Sequence, residues 1–269
     1  MKTDPTAAPS IECRLCRGNA AAIFSQTVLK QFLVRYFRCG QCDLIQTEAP
    51  YWLAQAYSRA IAAQDVGAMS RVLSSVGLCS AVARSLGAQS GLDFGGGSGA
   101  LTRLLRDRGY AFEWLDAHCE NVYAQGFMGD LSRRYDLVTA FEVWEHFSEP
   151  GQELEALFSA GHGAILVGTL LHWGHQEGWW YYSPETGQHI AFYSTRTLEF
   201  IASRFGYDVL WGHGTSLFLR KDAPSLPGGR FVWQKLMQRP ALLRRIGETL
   251  DRVAPRKGLA AADALKLCT

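Results

Sequence analysis

The sequence has no apolar run near the roughly 20 uncharged residues that a membrane-spanning helix needs. Its first residues, MKTDPTAAPS, also lack the apolar segment of a secretory signal peptide. We therefore expect a cytoplasmic protein. With 269 residues, of which 48% are hydrophobic, the chain can bury the core of one large domain and one small one.

A disulfide framework is a poor match to the cysteines, because there are seven and four of them are paired at short spacing. Cys13 and Cys16 form one C-x-x-C pair, and Cys39 and Cys42 form a second, with 22 residues between the two pairs. Two such pairs complete the four-thiolate shell that structural Zn²⁺ favours, which leaves no open position for chemistry. A redox pair is the alternative. Because the intervening segment alternates like two short strands, we predict a zinc ribbon over residues 1–48.

Helical periodicity follows the predicted ribbon. The stretches PYWLAQAYSRAIAAQ and SRVLSSVGLCSAVARSLGA place apolar residues three and four positions apart, and the second stretch ends at Gly87. We predict that residues 49–89 are linking helices that join the ribbon to the main domain.

The stretch GLDFGGGSGALTRLLRDRGY reads as a short strand, a glycine-rich turn and an amphipathic helix ending at Gly109. Glycines allow a sharp turn and close approach to a ligand, and the first turn of the helix presents unpaired N–H groups. A second predicted strand, residues 112–115, ends in Asp116, whose carboxylate can accept the hydroxyls of a ribose. Gly129 and Asp130 precede a third strand. This order predicts a doubly wound α/β sheet over residues 90–222.

These motifs together, LDFGGGSG, Asp116, Gly129-Asp130 and DLVTAFEVWEH, resemble a class I S-adenosylmethionine-dependent methyltransferase. The resemblance implies a Rossmann-like fold and S-adenosylmethionine as cofactor, with the glycine-rich loop on its methionine part, Asp116 on its ribose and Asp130 near its adenine. The implied cofactor site comprises Phe94, Gly95, Gly97, Gly99, Asp116, Met128, Asp130, Phe141 and Glu142.

Other nucleotide-binding classes match less well. A nicotinamide-dependent dehydrogenase would carry a full G-x-G-x-x-G, which Leu101 and Thr102 interrupt here. No G-K-[ST] follows the loop, as nucleotide hydrolysis would require. A binding protein that has lost catalysis is a further alternative, which the intact loop disfavours.

The zinc-type cysteines ahead of such a core are similar to bacterial methyltransferases with an N-terminal zinc module, among them the deoxysugar C-methyltransferases. Members of that branch have a further C-terminal α/β domain, for which this chain is too short, so only the first two parts of the resemblance apply. It implies a small-molecule or glycan acceptor, such as a saccharide or sugar nucleotide.

The stretch WWYYSPETGQHIAFYS holds the predicted acceptor residues. Trp179, Trp180 and Tyr182 offer faces for stacking on a sugar ring and for sheltering a cationic methyl group. The C-methyltransferase branch has a Tyr-x-Glu-His motif at this point, where this chain has Thr186, Gln188 and His189. A neutral Gln cannot act as a carboxylate base, whereas a His suits O-methylation. We therefore predict His189 as general base and Gln188 as a substrate contact, with a structural role for His189 as the alternative.

His146, in FEVWEHFSEP, is the second candidate base. It follows the third predicted strand, and its neighbours Glu142 and Glu145 are candidates for binding the amino group of methionine or for capping the next helix. The other histidines we considered, His162, His172 and His175, have no acids at metal-binding spacing, so we expect no catalytic metal.

The C-terminal end is basic, with eleven Lys or Arg against four Asp or Glu from Arg220 to Thr269. We predict a basic helical tail over residues 223–269, as either a packing element or a peripheral contact with an anionic partner. A zinc-module ribosomal RNA methyltransferase is the alternative function. Because the first 219 residues are net acidic by five, we do not expect nucleic-acid binding. The sequence leaves the oligomeric state open.

Overall fold

The structure is a computed structural model that describes residues 9–57, 66–174, 177–223 and 225–267. Its described strands are β1 (Ser10–Glu12), β2 (Asn19–Val28), β3 (Phe32–Cys39), β4 (Ile45–Thr47), β5 (Ser90–Phe94), β6 (Ala111–Leu115), β7 (Leu137–Phe141), β8 (Ala164–Gly168), β9 (Ala191–Phe192), β10 (Tyr207–Trp211) and β11 (Ser216–Arg220). Its described α-helices are α1 (Leu53–Ala56), α2 (Ala68–Leu86), α3 (Ala100–Asp107), α4 (Pro150–Ser159), α5 (Thr195–Phe205), α6 (Gly229–Met237), α7 (Pro240–Val253) and α8 (Ala260–Leu267).

The chain divides into two compact units. Unit 1 comprises Met1–Gln64, Trp144–Glu155 and Leu170–Ile201, and unit 2 comprises Asp65–Val143, Ala156–Thr169 and Ala202–Thr269. The domains predicted from the sequence, with boundaries at residues 48, 89 and 222, are each one continuous stretch of the chain. In the structure, unit 1 instead combines the N-terminal segment with two later segments. Within the described ranges, no helix combines the length and the apolar character that crossing a membrane requires.

Unit 1 contains an antiparallel sheet in the order β1-β2-β3-β4-β9. The strand pair predicted between the two cysteine pairs is present as the β2–β3 hairpin, which has a register shift between Ala22 and Phe24. Strand β9 joins the sheet by pairing Phe192 with Ile45. Late residues of the chain therefore complete the sheet that the N-terminal residues begin.

Unit 2 contains a six-stranded sheet in the order β10-β11-β8-β7-β5-β6. The pairs β5–β6, β5–β7 and β7–β8 are parallel, and β11 and β10 are added antiparallel at one edge. Strand β5 lies between β6 and β7, so the chain winds in both directions from β5. In such sheets ligands bind at the carboxyl ends of the strands, at the point where the winding direction changes. The predicted Rossmann-like α/β fold is confirmed.

The helices of unit 2 include most of the basic C-terminal region. Helix α2 ends at Gly87, as predicted, with this residue in the left-handed conformation. Pro240 begins α7, where its missing N–H costs nothing. A Cβ atom added to Gly247 would lie 1.9 Å from the carbonyl oxygen of Gly77, so α7 packs on α2 with its backbone in close approach. Trp233, Met237 and Leu243 are buried in the core of unit 2.

Of the first predicted linking helix, the structure describes only the short α1; residues 58–65 lie outside the described residues. His175 is also outside them.

Candidate active site

The glycine-rich turn between β5 and α3 is packed closely at Gly95 and open at Gly97. Gly95, Gly97 and Gly99 all have positive φ angles, of 69°, 53° and 83°. A Cβ atom at Gly95 would lie 2.4 Å from Val143, whereas one at Gly97 would meet nothing within 4 Å. The loop therefore leaves room for a ligand to approach the backbone at Gly97. Phe94, at the end of β5, is half-buried beside it.

Asp116 lies at the carboxyl end of β6 and closes the other side of this loop. Its Oδ2 accepts a hydrogen bond from the Gly97 N–H at 2.9 Å, and its Oδ1 accepts from the N–H groups of His118 and Cys119 at 2.8 and 2.9 Å. A carboxylate offers about four lone-pair sites, so about one remains, on Oδ2. This site suits one ligand hydroxyl rather than the two that the sequence suggested.

Asp93 supports the glycine-rich loop, and the sequence analysis assigned it no role. It is 2% exposed, and it accepts hydrogen bonds from Thr102 at 3.1 Å and Thr139 at 2.9 Å. Desolvation by burial raises the pKa of Asp93 to about 6, against the opposing effect of the two threonine hydroxyls. Asp93 thus anchors the base of the loop through β7 and α3.

Asp93→Asn is expected to remove a pH dependence of stability. Its pKa rises from 3.8 to about 6 on folding, so the stabilising contribution is present below the unfolded value and is lost as pH rises through the folded value. From about pH 4 to about pH 7, the free energy of unfolding of the wild type should fall by roughly 2 kcal/mol relative to the variant. Urea titrations followed by tryptophan fluorescence measure this difference. Asp107→Asn, at a half-exposed side chain on α3, is the control; equal pH profiles for wild type and Asp93→Asn would contradict the prediction.

The remaining predicted cofactor residues lie in unit 2. Met128 is 56% exposed and forms a β-bridge with Trp114 in β6. Asp130 is exposed, and hydrogen bonds from the Ser132 N–H and hydroxyl lower its pKa. Phe141 is half-buried at the end of β7, and Glu142 has a φ of 56° and lies 3.8 Å from Arg71.

The four predicted zinc ligands converge in unit 1. The sulfur atoms of Cys13 and Cys42 are 3.6 Å apart, and those of Cys16 and Cys39 are 3.4 Å apart. Thiolates at the roughly 2.3 Å Zn–S distance of a tetrahedral site are about 3.8 Å apart. Backbone N–H groups of Gly18 and Gln41 point at the sulfurs of Cys16 and Cys39, both at 3.4 Å. The cluster fits one tetrahedral ion.

A second cluster, which the sequence did not predict, brings together Glu145, His146 and His189, whose ligand atoms lie within 4.8 Å of one another. The His189 Nδ1 lies 2.7 Å from the carbonyl oxygen of Tyr181, and the His146 Nδ1 lies 3.1 Å from that of Gln188. A carbonyl can only accept, so the His189 ring carries its hydrogen on Nδ1 and its lone pair on Nε2.

The two imidazoles meet edge to face, with ring centroids 5.0 Å apart. Desolvation by burial lowers the pKa of His189, opposed by the charge of Glu145, so the ring is neutral at pH 7. Tyr57 places its hydroxyl 3.1 Å from the His146 Nδ1. Both predicted bases therefore belong to one cluster.

The aromatic run has two environments. Tyr182 is fully buried against Phe24, Tyr36 and Phe192, with ring centroids 4.9 to 5.2 Å away, so it is a core residue and does not present a face for stacking on an acceptor. Trp180 is 72% exposed, whereas Trp179 is half-buried against the same core.

At the positions that correspond to the Tyr-x-Glu-His motif, the side chains of Thr186 and Gln188 make hydrogen bonds within unit 1. The Gln188 Nε2 donates to the carbonyl of Ala56 at 3.1 Å, and the Thr186 hydroxyl donates to that of Ser183 at 3.2 Å. Glu145 was interpreted as a methionine contact or a helix cap; it is instead 0% exposed, and its Oε1 accepts a hydrogen bond from the Tyr181 hydroxyl at 2.6 Å.

A glycine-rich turn after a central parallel strand, with an acid at the end of the next strand, defines a Rossmann-like cofactor-binding sheet. The model of a family described as a methyltransferase domain matches residues 46–210. The chain belongs to this family, and it is an S-adenosylmethionine-dependent methyltransferase. The open backbone at Gly97 and the acceptor on Asp116 fit this cofactor.

The chain is also similar to solved methyltransferase structures. The methyltransferase domain of bacterial CtHen1-C is 19% identical, with a TM-score of 0.39, over 55% of this chain and 97% of that one. Human N-acetylserotonin methyltransferase in complex with S-adenosylmethionine is 18% identical, with a TM-score of 0.43, over 58% and 52%. Magnesium protoporphyrin IX methyltransferase from Synechocystis PCC 6803 is 17% identical, with a TM-score of 0.42, over 58% and 84%. No curated protein sequence matches the chain.

Asp116→Ala is expected to weaken S-adenosylmethionine binding by roughly 10- to 100-fold, the equivalent of one charge-assisted hydrogen bond. Isothermal titration calorimetry with the cofactor measures the change. Asp107→Ala, at the opposite end of α3, should bind like the wild type. An affinity unchanged by Asp116→Ala would remove Asp116 from the cofactor site.

Proposed function

We propose that this methyltransferase acts in the cytoplasm on a hydroxyl group of a saccharide or sugar nucleotide and that His189 is the general base, with His146 as the second candidate. The observation that supports this most directly is the cluster in which His189, beside His146, carries its hydrogen on Nδ1 and its lone pair on Nε2. A neutral imidazole in this tautomer is the form that accepts a proton. The unpaired cysteines fit a reducing compartment.

The cofactor would supply an electrophilic methyl group. The residues of the chain would position the cofactor and deprotonate the acceptor hydroxyl. In this proposal Asp116 and the Gly97 backbone hold the cofactor, and the four cysteines hold a structural Zn²⁺. His189 accepts the hydroxyl proton as the acceptor oxygen attacks the methyl carbon. Alignment of the reacting atoms accounts for much of the rate.

The saccharide acceptor is supported by the resemblance to sugar methyltransferases and by the exposed indole of Trp180. Trp180→Ala should raise KM for the acceptor by about 3- to 10-fold, from roughly 0.5–1.5 kcal/mol of ring contact, and should leave kcat unchanged. The measurement is steady-state methyl transfer to nucleotide-linked deoxysugars, compared with phenolic acceptors. Phe231→Ala removes an exposed ring from α6 and is the matched control. Activity on phenols alone would overturn the saccharide acceptor.

C-methylation beside a ketone is the second candidate, because the cluster contains Tyr, Glu and His side chains. Tyr181, Glu145 and His189 bring together the residue types of the C-methyltransferase motif from separate positions in the chain. NMR of the product distinguishes the two, since a C-methylating enzyme forms a carbon–carbon bond. It should also exchange the proton next to the carbonyl with D₂O when the cofactor is omitted.

A further inference from the structure

Glu145 has a buried carboxylate that is only half satisfied. The residue is 0% exposed, and the Tyr181 hydroxyl donates to its Oε1. Among the residues that the structure describes, its Oε2 has no hydrogen-bond partner. A buried carboxylate oxygen in a protein is normally hydrogen-bonded, ion-paired or bound to a metal ion. The missing partner of Oε2 therefore points to a ligand beside it.

The two histidines next to Glu145 are oriented as metal-binding histidines are. Metal-ligating histidines almost always donate their other ring N–H to a carbonyl or carboxylate, which fixes the tautomer and the ring orientation. The His189 Nδ1 donates to the backbone carbonyl of Tyr181, and the His146 Nδ1 lies 3.1 Å from the backbone carbonyl of Gln188. The Tyr181 hydroxyl holds the carboxylate in the same manner.

The spacing of the three groups suits a single ion. Their ligand atoms lie within 4.8 Å of one another. Two ligands at roughly 2.1 Å from one cation can be about 4.2 Å apart at most. Small rotations of the side chains are enough to close the remaining difference.

We propose that Glu145, His146 and His189 form a second metal site, separate from the four cysteines, for a divalent transition ion of the Zn²⁺, Fe²⁺ or Co²⁺ class. Two imidazoles favour these ions over Mg²⁺ and Ca²⁺, which prefer oxygen ligands. Three protein ligands leave coordination positions open to water or to an acceptor oxygen. This proposal differs from the sequence-based expectation of no catalytic metal, and it does not require the proposed function.

Cation binding and proton acceptance use the same lone pairs on Nε2. The two roles therefore belong to two states of the protein, one with the cation bound and one without it. Binding measured without cofactor or acceptor tests the metal site whatever reaction the enzyme catalyses.

The experiment is a Co²⁺ titration of the full chain, purified from zinc-replete medium and then dialysed against a weak chelator until elemental analysis gives about one zinc per chain. The wild type should take up about one Co²⁺ per chain, with the visible d–d bands of a nitrogen and oxygen site and without the intense thiolate-to-cobalt absorption. A protein that takes up no Co²⁺, or only Co²⁺ with thiolate bands, would overturn the proposal.

Glu145→Gln and His189→Gln should each lower the Co²⁺ affinity by more than about 100-fold, since loss of a direct ligand exceeds the roughly 10- to 100-fold effect of its supporting residues. Glu185→Gln and His213→Gln remove the same groups at exposed positions and should bind like the wild type. Far-UV circular dichroism establishes that each variant is folded. Wild-type affinity in folded Glu145→Gln and His189→Gln would exclude these residues as ligands.

Tyr181→Phe tests the orienting hydrogen bond separately. It removes only the hydroxyl that contacts the Glu145 Oε1, so all three ligands remain. The Co²⁺ affinity should fall by about 10- to 100-fold while the d–d bands keep their positions. A merely structural tyrosine would lower the melting temperature and leave the affinity of the folded protein unchanged, which would overturn this role.

Discussion

His189→Ala is expected to lower methyl transfer per folded molecule by roughly 10²–10⁴-fold, the usual contribution of a positioned general base. The affinity for S-adenosylmethionine should not change, because His189 is not among the predicted cofactor residues. The loss should appear in kcat, since proton removal takes place in the transition state. His189 is suited to this role because its Nδ1 hydrogen is committed to the Tyr181 carbonyl.

The measurement is turnover with the true acceptor, using protein stripped of divalent cations outside the four-cysteine site, so that the loss reports proton transfer. His146→Ala is assayed in parallel because the two rings are in contact. His213→Ala, at an exposed histidine of unit 2, is the control. Turnover near the wild type for His189→Ala, together with a collapse for His146→Ala, would assign the base to His146. Activity in both would remove the pair from proton transfer.

The glycine-rich loop and its contact with Asp116 were predictable from the sequence because they are local. The loop at Gly95 to Gly99 lies between β5 and α3, and the Gly97 N–H reaches an acid only 19 residues further along. Strand order, turn glycines and the acid at a strand end are all visible in the sequence. The buried role of Asp93 was not predicted, because it depends on Thr139, 46 residues away.

The histidine cluster could be predicted only in part. Both histidines were identified as candidates, but their proximity depends on contacts between distant segments of unit 1. Tyr181 reaches Glu145 across 36 residues, and the Ile190 N–H donates to the Glu145 carbonyl. A run of four aromatic residues, such as WWYY at residues 179–182, has no periodicity that separates buried from exposed positions. The sequence therefore could not predict that Tyr182 is buried while Trp180 is exposed.

Loss of the four-cysteine site is the second large effect that we predict, and its consequence extends to the histidines. Arg14 lies between Cys13 and Cys16, and its guanidinium donates to the carbonyls of Ser148 at 2.9 Å and Ile190 at 3.0 Å. The predicted zinc site therefore holds the residue that ties together the two segments carrying His146 and His189. Structural Zn²⁺ contributes about 10–16 kcal/mol to the folding of zinc-finger peptides, comparable to the whole stability of a domain, roughly 5–15 kcal/mol.

Cys39→Ser is accordingly expected to reduce the zinc content from about one ion per chain, to unfold much of unit 1 and to abolish methyl transfer. Cys39 is chosen because it is 1% exposed and its sulfur lies 3.4 Å from that of Cys16. Elemental analysis, limited proteolysis and thermal unfolding measure the three effects on the same preparation.

Cys119→Ser replaces a cysteine outside the cluster and should keep the zinc. Chelation of the wild type by a strong ligand should reproduce the Cys39→Ser result, because both remove the ion. Wild-type protein that contains no zinc, yet is folded and active, would show that the cysteines pack without a metal and that Arg14 is held by the sheet alone.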